Sequence, residues 1–230
     1  MIVLGPYRFT DTDAERTIAS VPRLWEWLSE GRDTAAIDGL RPTPESLAAP
    51  VEVALPMVWE ALLAAGPALR AAGQLPATTT GAVTGLHLSK GGVPKQPIAA
   101  AEIDFGGVVG DKQGTRQHHG RPWQALCIWS QEVIDTFAAD GHPIAPGYAG
   151  ENITISGFDW ADIRPGVRLQ VGSVQCEVSA YAIPCRHNAP WLSDGNFNRM
   201  HNDRGPVSRV YATVLQPGAI AVGDAVVLEP

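Results

Sequence analysis

Cysteine is scarce in this sequence, which has only Cys127, Cys176 and Cys185 among its 230 residues. An odd number of cysteines argues against a disulfide framework. The first residues also lack the basic start and apolar stretch of a secretory signal, and disulfides form mainly in secreted proteins. An iron–sulfur cluster usually takes four thiolates, and structural zinc takes four ligands in paired short spacings that are missing here. We therefore expect a cytoplasmic protein without these stabilising devices.

Long apolar runs and excess positive charge are also lacking. The chain is 45% hydrophobic and 18% charged, and no run approaches the ~18 apolar residues that a membrane helix needs. Its formal net charge of −7 argues against general affinity for nucleic acid or anionic lipid, which reward clustered Lys and Arg. We expect a globular chain with no nucleic-acid or membrane partner.

Lysine is rare, but the few lysines are clustered. Lys90, Lys95 and Lys112 fall within one short stretch, followed by Arg116 and Arg121. Only three carboxylates lie in the same stretch. The pattern predicts a local anion site on an acidic protein, and the alternative is a solvated basic surface without a ligand.

The chain divides into a helical part and a strand-rich part. Residues 1–78 are Ala-rich and interrupted by proline: Pro22 is placed to open a helix, and Pro67 is expected to kink or break one. Residues 73–80, GQLPATTT, mark the boundary. In residues 79–230, short apolar runs separated by Gly and Pro indicate a β-rich barrel or sandwich with one helix after Ser130. The predicted class is mainly β (α+β), a barrel-like domain at 79–230 preceded by a helical segment of unknown role.

The three cysteines lie in different surroundings. Cys176 alternates with valines, and Cys127 lies in a continuous apolar run, so both are expected in buried strands. Cys185 instead follows Pro184 just past a strand, next to Arg186 and near His187, which favour the thiolate electrostatically. The thiolate is the form that attacks substrates or binds soft metals.

Other roles for Cys185 remain open from the residues alone. A zinc site could use Cys185 with His118, His119, His187 and His201, although Cys-x-His is a poor zinc spacing. A cysteine hydrolase would need a base such as His119 or His187, but no family-specific nucleophile signature is present. A plain thiol without function is the third reading.

A series of segments over residues 81–230 resembles, in order and spacing, the MOSC family, the molybdenum-cofactor sulfurase C-terminal domain in its stand-alone bacterial form. The segments are GGVPK (91–95), GVVGDKQ (107–113), HHGRPWQALCIW (118–129), PGYAGENITISG (146–157), RPGVRLQVGSVQCEVS (164–179), IPC (183–185) and RVYATVLQPGAIAVGD (209–224). Residues 1–75 lie outside the resemblance.

The resemblance implies a barrel-like fold that binds a molybdenum cofactor through its pterin dithiolene, with Cys185 as the protein ligand to the metal and a catalytic residue. Lys95 is the best-matched cation for the cofactor's phosphate. His119 matches the family's His-Gly step and is a second catalytic candidate. Asp111 and Asn152 match positions that could hydrogen-bond the pterin, although both residue types also fix turns.

Two positions depart from the family's pattern. Gln124 stands where an arginine is common, and no arginine precedes Pro184 and Cys185. Arg121 and Arg186, which are nearby in sequence, are therefore the candidates to supply the missing charge to the cofactor.

The resemblance implies an oxidoreductase that removes oxygen from small N-hydroxylated compounds. Its candidate proton donors are His118, His119 and His187, because histidine titrates near neutrality. The sequence has no flavin or nicotinamide fingerprint, so electrons are expected from an external redox partner protein. The alternative is a non-catalytic carrier of the cofactor, or of sulfur as a persulfide on Cys185.

Overall fold

The computed structural model describes residues 1–114 and 118–229, so Arg116 lies outside the described residues. These residues form four α-helices and thirteen strands. The helices are α1 (Asp11–Ser29), α2 (Pro44–Leu47), α3 (Val51–Ala71) and α4 (Gln131–Ala139). The strands are β1 (Ile2–Leu4), β2 (Tyr7–Phe9), β3 (Thr79–Leu88), β4 (Gln96–Ile98), β5 (Ala100–Asp104), β6 (Gly107–Val108), β7 (Leu126–Ser130), β8 (Ile153–Ser156), β9 (Arg168–Val171), β10 (Val174–Tyr181), β11 (Val210–Gln216), β12 (Gly218–Ala221) and β13 (Ala225–Glu229).

Seven strands close into a barrel, which confirms the predicted fold class. Their order around the barrel is β13, β9, β10, β11, β7, β8 and β3, and β3 pairs with β13 to complete the ring. All neighbours are antiparallel except β7 and β8, which are parallel and are joined by a crossover containing α4. The interior is filled by aliphatic side chains such as Val171, Val178 and Val214, as closure of a small barrel requires.

The N-terminal helices are longer and less interrupted than the prolines predict. Helix α1 contains Pro22, and α3 contains Pro56 and Pro67. The prediction that Pro22 opens a helix was wrong, because α1 instead begins after Thr10, whose Oγ1 accepts a hydrogen bond from the amide of Asp13. A proline costs ~3 kcal/mol inside a helix, and burial of several large side chains on each helix, at ~1.5–3 kcal/mol each, offsets it.

The N-terminal segment shares a hydrophobic cluster with the barrel. Trp27 of α1 packs edge-on against Tyr181 of β10, with ring centroids 5.6 Å apart. The Tyr7 hydroxyl donates a hydrogen bond to the Val214 carbonyl over 2.9 Å. Gly66 lies against the carboxylate of Glu177, which a Cβ there would hit. The division at residue 78 stays a prediction, and these contacts couple the two parts.

Helix α3 is long and apolar enough, by length and composition alone, to cross a membrane. The same description fits a core helix of a globular protein. In this structure Leu55, Val58 and Leu69 of α3 are fully buried against the rest of the chain.

Candidate functional site

A cavity of about 440 Å³ opens at one end of the barrel. Its wall comes from the segments that follow β3 and β10 and from those that precede β7, β8 and β11. Four of the residues to which the resemblance assigns a catalytic or cofactor-binding role line it, Lys95, His119, Asn152 and Cys185, and so does His187, a candidate proton donor. A second depression, of about 540 Å³, lies against α4 and contains none of them.

Asp111 organises one side of this cavity from behind its wall. Its carboxylate accepts hydrogen bonds from Lys95 Nζ, from the Ser89 amide at 2.7 Å and from Asn152 Nδ2 at 3.0 Å. The side chains of Lys95 and Asp111 are only 9% and 3% exposed. The charge of Lys95 is therefore balanced inside the protein before any ligand binds.

Asn152 ties the ends of three strands together. Its Oδ1 accepts a hydrogen bond from the Cys127 amide at 3.3 Å, and its Nδ2 also donates to the His87 carbonyl at 3.3 Å. Cys127 is buried, as predicted, but it also lines the cavity. Burial raises the pKa of its thiol to about 11, so Cys127 stays protonated near neutral pH and does not compete with Cys185 as a thiolate.

Cys185 is exposed on the loop after β10, and the loop is held by Asn188. The Cys185 amide donates to Asn188 Oδ1 at 3.2 Å, and the Asn188 amide donates back to the Cys185 carbonyl at 2.8 Å. The Asn188 side chain is itself buried and donates to the Ala149 carbonyl at 3.2 Å. The backbone that carries the thiol is thus fixed to the opposite wall.

Arg209, the residue just before β11, is a cavity residue that the sequence reasoning missed. Its Nη2 donates to Asn188 Oδ1 at 3.3 Å and its Nη1 donates to the Ala149 carbonyl. The side chain is buried, yet its Nε has no hydrogen-bond partner, and no carboxylate of the described residues pairs with it. The strand alternation of RVYAT places Arg209 and Tyr211 on one face, which is the signal that could have found them.

His119 and Tyr211 form a pair across the cavity wall. His119 Nδ1 and the Tyr211 hydroxyl oxygen are 3.0 Å apart. Burial, with the nearby positive charge of Arg209, lowers the pKa of His119 to about 4. The ring is therefore neutral near pH 7, unlike the freely titrating histidine that the sequence suggests.

The two arginines expected to supply missing charge do not contribute to the cavity wall. Arg121 is buried, and its Nη1 donates to Gln124 Oε1 at 2.8 Å and to the His118 carbonyl at 3.1 Å. Arg186 is exposed. The cations that do line the cavity, besides Lys95, are Lys112 and Arg209.

The described residues contain no group of three or more His, Cys, Asp and Glu side chains arranged to hold a metal ion. The cavity is lined by one exposed thiol, Cys185, one buried thiol, Cys127, and the imidazoles of His119 and His187. A metal bound here would therefore need most of its ligands from a cofactor.

Comparison with known proteins finds a family model that matches part of the chain and solved structures that share the fold. Residues 115–227 match the model of the MOSC domain, whereas no curated protein matches the chain. The YUAD protein from Bacillus subtilis is similar in structure with a TM-score of 0.55 and 20% identity, over 66% of this chain and 97% of that one. YiiM from Geobacillus stearothermophilus gives a TM-score of 0.53 and 22% identity, over 65% of this chain and 75% of that one. At such identities the likeness shows the fold alone.

Proposed function

We propose, on the premise that this chain carries a MOSC domain, that its barrel-end cavity binds a pterin molybdenum cofactor and reduces N-hydroxylated compounds. The observation that carries the proposal is the convergence of Lys95, His119, Asn152 and Cys185 on one cavity of about 440 Å³. That volume lies within the range of ordinary cofactor sites. These residues come from distant parts of the sequence, and packing of the barrel core does not explain why they lie together.

The free donors of the cavity fit an anionic group. Lys112 and Arg209 line it, and neither forms an ion pair with a carboxylate of the described residues. A buried donor without a partner is costly unless a ligand or water satisfies it, and Arg209 Nε is such a donor. We assign the cofactor's phosphate to Lys112 and Arg209, with Lys95 helping from its ion pair.

The remaining residues take positions that suit their chemistry. Cys185 supplies the thiolate that suits a molybdenum–sulfur centre. Asp111 already accepts three hydrogen bonds, so we assign it to holding Lys95 and Asn152 in place. Gly91 and Gly92 line the opening with φ of +117° and +101°, and they leave room where side chains would narrow it.

Oxygen-atom transfer coupled to two electrons is the chemistry that such a cofactor supplies when bound. The overall reaction consumes one N-hydroxylated molecule, two electrons and two protons, and it yields the N–H product and water. The chain's own part is to hold the cofactor, to orient the N–O group beside Cys185 and to limit access through the loops. The electrons come from an external protein donor, and we place the reaction in the cytoplasm.

The test is to express the protein with molybdate and to measure molybdenum and pterin per chain. Reduction of a hydroxylamine with a reduced artificial electron donor then measures turnover. We expect Cys185→Ser to lose activity with its fold intact, because a serine hydroxyl stays protonated where a thiolate would bind. The matched control is Cys176→Ala, which removes a thiol buried in the barrel interior. Equal turnover in Cys185→Ser and the control would refute the assignment of Cys185.

A second candidate function is favoured by the exposure of the Cys185 thiol on its loop. An exposed thiol can pass sulfur, as a persulfide, or bound cofactor to an acceptor protein. Bound cofactor without turnover would favour a cofactor carrier. A chain that binds no cofactor but takes the outer sulfur of a donor persulfide onto Cys185, with the donor's thiol released, would favour the persulfide carrier.

A further inference from the structure

We propose that Tyr211 is the positioning residue for His119: its hydroxyl donates to Nδ1 and thereby presents Nε2–H to the cavity. The inference is about the hydrogen positions in the unliganded chain. It rests on the proposed function only for the identity of the group that this N–H meets.

The geometry around Tyr211 gives the hydroxyl one partner within the described part of the chain. Tyr211 is buried, and its ring packs edge-on against Trp123 with centroids 6.2 Å apart. Among the described residues, His119 Nδ1 at 3.0 Å is the partner of the hydroxyl. A buried hydroxyl donates wherever an acceptor is in reach, so its hydrogen points at Nδ1.

The protonation states of the two groups agree with this direction. Burial raises the pKa of Tyr211 above its ordinary value, so the phenol keeps its hydrogen. Burial together with the positive charges of Arg209, Arg121 and Lys95 lowers the pKa of His119 to about 4. A neutral imidazole has one N–H and one acceptor nitrogen. With Nδ1 accepting from Tyr211, the hydrogen is on Nε2.

Nε2 is the ring nitrogen that remains available to a ligand. His119 lines the cavity, and the hydrogen bond of its ring to a described residue uses Nδ1 and leaves Nε2 open. The cavity therefore presents a hydrogen-bond donor at this point. Its ligand is an acceptor oxygen, and under the proposed function this is the oxygen of the N–O group. His119 orients that oxygen, and the protons of the reaction come from elsewhere.

The test is nitrogen-15 NMR of histidine side chains in the unliganded chain near pH 7, with His119→Gln to assign the signals. We expect the shift of an unprotonated nitrogen at Nδ1 and of a protonated one at Nε2. Tyr211→Phe keeps the ring that packs on Trp123 but removes the hydroxyl. In the Nδ1–H form the Tyr211 oxygen would accept from Nδ1, and the buried hydroxyl hydrogen would lose its acceptor. This loss biases the two tautomers by about tenfold, so we expect the Nδ1–H form to gain about tenfold in Tyr211→Phe.

The matched control is Tyr7→Phe, which removes another buried hydroxyl that contacts β11, at Val214, and should leave the His119 tautomers unchanged. Nδ1–H as the main form in the wild type would overturn the proposal, and so would an unchanged tautomer ratio in Tyr211→Phe. If Tyr211→Phe does not fold, the NMR spin coupling across the hydrogen bond is measured in the wild type. Coupling between the Tyr211 hydroxyl hydrogen and Nδ1 would support the proposal, and coupling from an Nδ1–H to the Tyr211 oxygen would overturn it. Failure to bind cofactor would leave these results standing, so the two proposals fail separately.

Discussion

The ion pair of Lys95 and Asp111 makes a quantitative prediction about stability. Replacing Lys95 by Met leaves the Asp111 carboxylate, only 3% exposed, with two donors, the Ser89 amide and Asn152 Nδ2. Breaking a buried pair from one side costs ~3–5 kcal/mol. Because two charge-assisted hydrogen bonds remain, we expect the lower end, about 3 kcal/mol.

The double variant Lys95→Met with Asp111→Asn separates the charge from the packing. Asn at position 111 can still accept from Ser89 through its one oxygen and carries no charge that needs Lys95, but its NH2 faces Asn152 Nδ2, which loses an acceptor. We therefore expect the double variant to lie about 1–2 kcal/mol below the wild type and above Lys95→Met. The assay is urea unfolding of the unliganded chain followed by tryptophan fluorescence. A loss below about 1 kcal/mol for Lys95→Met, as at an exposed pair, would refute the reasoning. A double variant less stable than the single one would also refute it.

Three further predictions concern the cavity, the buried Glu177 and the N-terminal segment. Arg209→Met should weaken cofactor retention by roughly ten- to a hundredfold, measured as molybdenum per chain after gel filtration, and unchanged occupancy would contradict the phosphate assignment. Burial raises the pKa of Glu177 to about 7, so its contribution to stability falls as pH rises from about 4.5 to 7. Glu177→Gln should therefore be more stable than the wild type at pH 8 by about 3 kcal/mol and similar near pH 4, and parallel pH curves of unfolding free energy would contradict this. Removing residues 1–78 uncovers Trp123 and Tyr211, so light scattering should detect aggregation, whereas a stable chain that binds cofactor would make 79–230 an independent domain.

The barrel was predictable because its signals are local. Short apolar runs separated by Gly and Pro predict strands and turns, and the alternation in VQCEV places Cys176 in the core, where it is fully buried. The helical segment was also predictable in kind. The boundaries of its helices were not predictable. Proline lowers helix propensity locally, whereas α1 stays continuous because its side chains are buried against other parts of the chain.

The residue types of the site were predictable from the sequence, but the hydrogen bonds and ion pairs between them were not. Lys95 and Asp111 were each singled out, but their pairing depends on two loops that meet only when the barrel closes. Arg121 was expected to serve a ligand because of its charge, whereas its Nη1 is engaged by Gln124 and the His118 carbonyl. Arg209 begins the quoted segment 209–224, and Asn188 follows His187. Both were missed because their hydrogen bond to each other forms only in the folded chain.

The central claim, that Cys185 binds the molybdenum of a cofactor in this cavity, is tested most directly by X-ray absorption at the molybdenum edge. The measurement compares loaded wild type with loaded Cys185→Ser and with the Cys176→Ala control. The account predicts that Cys185→Ser has one sulfur ligand fewer at molybdenum than the wild type and that Cys176→Ala is unchanged. The same sulfur coordination in Cys185→Ser and the wild type would contradict it.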